Sequence, residues 1–223
     1  MGEIVRRDAA AGNILGDAKD TLTNARARGG RWQELAEQRL GASLALVANV
    51  EAKHKAAEEV HAPLAAQIDA RNLSADAALG KNYDIIWNEV GRPASDAALS
   101  VLFPDGTAYY AEGDTDGQPD RMEILVELLQ AGIHPKLSKA TAASAAAEIQ
   151  AEGEALRVAV EAARKPAAQV KILGRVRTAL AKVVHADLAN LKRLYKIEGY
   201  SEVEIHTVIP DRPSKPKKSG PTE

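Results

Sequence analysis

The chain has 223 residues, 45% hydrophobic but only 4% aromatic, so its interior must be filled mainly by Ala, Leu, Val and Ile, which favours closely packed helices. Its 29 basic and 31 acidic residues give a net charge of -2, which leaves no global field for gathering nucleic acid or anionic lipid. Cysteine is absent, which excludes disulfides, thiolate metal sites and a cysteine nucleophile.

The opening MGEIVRRDAA lacks the apolar stretch and small-residue cleavage pattern of a signal peptide. Arg6 stands where a myristoylation motif requires Ser or Thr. No run approaches the roughly 18 apolar residues of a membrane span. A cytoplasmic location, away from membranes, is the resulting expectation.

Residues 4–28 are compatible with a helix, weakened by Gly12 and Gly16 and punctuated by Gly29-Gly30. From Trp32 the positions Leu40, Leu44, Val47 and Val50 recur at helical spacing and lead through His54 to His61. Pro63 is expected to open the next helix, which carries Leu64, Ile68, Leu79, Tyr83, Ile86 and Val90 before Gly91-Arg92-Pro93 stops it. Between Arg92 and Pro119 turn signals dominate, with Thr107 to Ala111 the one candidate for a short strand.

Residues 120–133 are apolar on nearly every side and read as a buried helix. A helix from about Ser138 to Arg164 shows Ala145, Ile149, Gly153, Leu156, Val160 and Ala163 on one face. Pro166 is expected to open the last long helix, striped with Leu173, Val176, Leu180, Val184, Leu191 and Tyr195 and stopped by Gly199. Ser201 with Glu204 forms a capping-box pattern, and beyond Pro210 the basic, proline-rich chain offers too little apolar surface to offset the entropy of ordering it.

The expected fold is all-α: an antiparallel bundle of four long helices with an extra buried helix and a small irregular insertion. Its division is a helical arm over 1–30, a bundle domain over 31–206 interrupted at 92–119, and a flexible basic tail over 207–223. A shift of 103 residues pairs Glu51-Ala52 with Glu154-Ala155 and Pro63 with Pro166, while a shift of 108 pairs Asn82 with Asn190, Trp87 with Tyr195 and Gly91 with Gly199. A duplicated helical hairpin with a pseudo-twofold axis and two unrelated hairpins both account for these matches.

Two patterns carry candidate metal chemistry. Glu51-x-x-His54 is followed one heptad later by Glu58-x-x-His61, on one helix face continuing the stripe of Leu40 and Val47. Carboxylate-bridged di-metal bundles use such pairs, but on two different helices. Here the pairs lie on one helix, about 10.5 Å apart at 1.5 Å per residue, so one chain cannot converge them on a single metal pair. Glu154 and Glu161 are the best additional donors. The competing reading is a set of histidines at a polar bundle edge.

The second pattern, Glu112, Asp114, Asp116, Asp120 and Glu123, resembles the calcium-loop spacing around Gly117, but Glu112 replaces Asp at its first position and Pro119 stands at its eighth. The competing reading is an acidic turn at the start of the buried helix. Arg26, Arg28, Arg31, Arg39, Lys215, Lys217 and Lys218 lack the aromatic interleaving of a nucleic-acid surface. No nucleophile elbow or phosphate-binding glycine loop is present, so no cofactor or small-molecule substrate is implied. The functional expectation is a structural or interaction module that binds itself or another protein; a metal-binding bundle is the alternative.

Overall fold

The structure, a computed structural model, describes residues 3–212. It is all-helical apart from the extended residues Pro104–Thr107. The α-helices are α1 (Ala11–Arg28), α2 (Gly30–Glu89), α3 (Ala97–Leu102), α4 (Ala108–Ala111), α5 (Gln118–Gln130), α6 (Lys139–Ile197) and α7 (Glu202–Ile205).

The expected breaks at Pro63 and Pro166 do not occur: both prolines lie inside the single helices α2, of 60 residues, and α6, of 59 residues. Proline removes one backbone hydrogen bond and strains the preceding turn, at about 3 kcal/mol. The buried seam explains why the helix continues. On α2 the positions facing inward recur every three or four residues from Leu40 through His54, His61, Ile68 and Ala75 to Ile86, fully or half buried throughout. That heptad-like burial on both sides of Pro63 outweighs one missing bond. The two expected hairpins are therefore two long helices.

Glycines end these helices. Gly29 (φ 73) closes α1, Gly91 (φ 96) follows α2 and Gly199 (φ 90) follows α6, all in the left-handed region that other residues avoid. Ser201 and Glu204 make the expected capping box on α7.

The chain forms two compact units. Unit 1 comprises Met1–Ala57 and Gln169–Glu223. In it α1 contributes Ile14, Leu15 and Ala18, α2 contributes Leu40 and Val47, and α6 contributes Val184, Leu188 and Leu191 to one core. The Tyr195 hydroxyl donates to the Trp32 carbonyl (2.9 Å), and Trp32 stacks on Tyr200 at 3.9 Å between ring centres. The residues expected to form a separate N-terminal arm thus belong to this core. Val208 and Ile209 are also buried in it, beyond the expected start of the tail at 207. The rest of that tail, 213–223, lies outside the described residues.

Unit 2 is Glu58–Ala168. Its core joins Leu79 and Ile86 of α2, Met122, Leu125 and Leu129 of α5, and Ile149 and Leu156 of α6. Gly153 of α6 packs against Met122 of α5, where a Cβ would lie in ordinary contact, 3.5 Å from Met122 Cβ. The short elements between α2 and α5 cover this core with Leu102, Phe103 and Tyr110, whose hydroxyl donates to the Leu102 carbonyl at 2.6 Å. Extended backbone falls at Pro104–Thr107 rather than 107–111, where Ala108–Ala111 makes a helical turn. Helix α5 buries Met122, Leu125, Val126 and Leu129 while Ile124 stays exposed, so it is one-sided rather than buried all round.

Candidate functional site

The two Glu-x-x-His pairs fall on α2, with Glu51 and His54 in unit 1 and Glu58 and His61 in unit 2. Glu51 is committed elsewhere: Lys19 Nζ of α1 and Arg177 Nε of α6 reach its two oxygens at 2.7 and 3.3 Å. Partial burial pushes the Glu51 carboxyl up, but hydrogen bonds from those two cations outweigh it and hold the group below its ordinary value. The half-buried His54 lies over α6, its Nε2 3.5 Å from where a Cβ on Gly174 would sit. His61 is half buried and Glu58 exposed. Glu154 pairs with Arg157 at 3.5 Å and Glu161 with Arg164 at 2.7 Å.

The acidic loop is likewise turned toward cations and its own backbone. Asp114 accepts the Asp116 N–H at the start of the turn Thr115–Gly117. Arg121 donates to the carbonyls of Glu112 and Asp114, so these two carbonyls face a guanidinium. Asp120 and Glu123 both point to Arg157, at 2.6 and 2.8 Å. Among the described residues no group of three or more His, Asp or Glu side chains is placed to hold a metal ion.

Three features escaped the sequence reading. In unit 2, His134 is buried with Nε2 3.3 Å from Asp96 Oδ2, while its Nδ1 accepts the Lys136 N–H at 3.2 Å. The Leu99 N–H chiefly, with His134 beside it, holds the Asp96 carboxyl below its ordinary value. His134 borders a cleft of about 500 Å³ lined by Leu102, Leu129, Ile133, Leu137 and Ala142. One ring nitrogen faces Asp96 and the other accepts a backbone N–H, so both nitrogens of the imidazole are turned toward the loop.

In unit 1, Arg212 binds the buried Asp17, with Nε 3.1 Å from Oδ2. Also in unit 1, Glu202 meets Lys192 at 3.0 Å, as well as Lys196 and, at 3.4 Å, His206. Hydrogen bonds from Lys196 and Lys192 pull the Glu202 carboxyl down to about 2. A carboxylate with a depressed folded value contributes stability above its unfolded value of about 4.5, lost as pH falls toward about 2. Glu202→Gln should therefore lose less stability than the parent between those two pH values. Equal losses in acid denaturation followed by circular dichroism would contradict this.

None of the described helices is long and apolar enough to cross a membrane. Comparison of the chain with known protein families, curated proteins and solved structures finds no match in any of the three.

Proposed function

We infer that the protein is a structural or interaction module that associates with copies of itself. The observation that carries this reading is a stripe on the outer face of α6. Ile172, Val176 and Val183 follow at spacings of four and seven residues, which places them on one face, and they are 59%, 40% and 52% exposed. Isolated exposed apolar residues are ordinary, but an aligned stripe favours a covering partner.

The scaffold reading includes an internal duplication, each repeat being a short helix followed by a helix of about sixty residues rather than a hairpin. Ile14, Asp17, Ala18 and Thr21 of α1 match Met122, Leu125, Val126 and Leu129 of α5 at a shift of 108, and all eight are buried. Leu40, Leu44, Val47 and Val50 match Ile149, Gly153, Leu156 and Ala159 at a shift of 109. Ala75, Leu79, Asn82 and Ile86 match Val184, Leu188, Leu191 and Tyr195 at that same shift, again all buried. Burial in register over both helices supports a repeat better than the few identical residues do.

The test is light scattering paired with metal analysis of one preparation at tens of micromolar. An assembly heavier than 23.7 kDa without stoichiometric metal is expected. A monomer overturns the reading, and a stoichiometric metal lost in His54→Gln would replace it with the metal-binding one.

A further inference from the structure

The net charge of -2 conceals a segregation of charge between the units. Unit 1 has 20 Lys and Arg against 13 Asp and Glu, and unit 2 has 9 against 18, so they carry +7 and -9. One chain therefore holds both a cationic body and its complement.

Three of the cations of unit 1 line the apolar stripe of α6. Lys171, Arg175 and Lys182 each precede one of Ile172, Val176 and Val183, and all six are exposed. Among the described residues the three cations have no ion pair. This face turns away from the core positions Ala181, Val184 and Leu188.

At the shift of 109, Lys171, Arg175 and Lys182 correspond to Ala62, Ala66 and Leu73 of α2, in unit 2. Those three are also exposed, Leu73 at 70%, and share the surface with Glu59 and Asp69. The equivalent faces of the two repeats thus differ in a complementary way: long cationic side chains on one, and on the other the apolar Ala62, Ala66 and Leu73 beside Glu59 and Asp69, with Lys55 at its N-terminal end. The aliphatic stems of Lys and Arg can lie over alanine while their charged heads reach carboxylates.

Building on the self-association reading, we propose that the cationic face of α6 in one copy docks on the acidic, alanine-lined face of α2 in a second copy. Two different faces meet, so the contact is heterologous and closes as a ring or continues as a chain. A polyanion is the other chemistry that a basic face can take. A second copy is favoured because the matching acidic face is carried in equal amount by the same chain.

The test uses the full chain in sedimentation velocity at about 50 mM and about 500 mM NaCl, where the Debye length falls severalfold. The association constant should drop at least about tenfold at high salt. Lys171→Glu with Arg175→Glu and Lys182→Glu should abolish association, as should Glu59→Lys with Asp69→Lys. Mixing the two variants should restore it, because each then supplies the charge that the other lacks; this recovery also shows that both are folded. Association that ignores salt and both charge reversals overturns this interface while leaving self-association standing. A monomer under every condition overturns both. A monomer that binds a labelled single-stranded oligonucleotide through Lys171, Arg175 and Lys182 assigns the face to a polyanion and overturns the interface as well.

Discussion

Truncation after Pro210 is expected to lower the melting temperature by several degrees, whereas truncation after Arg212 should leave it unchanged. The sequence alone leads to the opposite expectation for 211 and 212, since neither residue is apolar. The difference lies in Asp17, whose side chain is only 3% exposed and whose two oxygens both face the Arg212 guanidinium. Although the Arg212 side chain is itself half exposed, removing it leaves the desolvated Asp17 charge without its cation. The same truncation removes the Glu3 N–H bond to Asp211 Oδ1 and the Arg212 N–H bond to the Glu3 carbonyl, each 2.9 Å. Thermal denaturation of the two truncated chains checks this, and equal melting temperatures would contradict it.

Leu79→Ala is expected to destabilise the protein by about 2 to 5 kcal/mol, while Leu73→Ala, six residues earlier on the same helix, should change stability by less than about 0.5 kcal/mol. Leu79 is fully buried among α5 and α6 side chains, so its truncation loses transfer energy and leaves a cavity that the surrounding helices only partly fill. Leu73 projects into solvent, and alanine has the higher helix propensity there. Urea denaturation of both variants measures the contrast. Measured on the dissociated chain, at about 500 mM NaCl and low protein concentration, equal costs would place Leu79 outside the core.

Much of the helical architecture is legible in the sequence because it rests on local rules. The spacing of Leu40, Leu44, Val47 and Val50, the glycines at 91 and 199, and the Ser201-Glu204 cap each act within a few residues. The fate of Pro63 is not local. Its penalty is set against burial all along α2, and a sequence window around the proline shows only the penalty. The ion pairs are further from reach: Glu51 finds Lys19 across 32 positions and Arg177 across 126, and Arg212 finds Asp17 across 195. Lys19 and Arg177 thereby turn the Glu51 carboxylate of the candidate metal pattern toward cations. Charge segregation was equally hidden, because unit 1 is assembled from both ends of the chain and the totals nearly cancel.

The measurement that bears most directly on the central claim is the solution mass of the full chain across a concentration series at about 0.15 M salt, where exposed charges are only partly screened. Self-association through exposed helix faces predicts a weight-average mass that rises with concentration from the 23.7 kDa monomer toward at least a dimer. A mass fixed at 23.7 kDa from low to high micromolar concentration would contradict it.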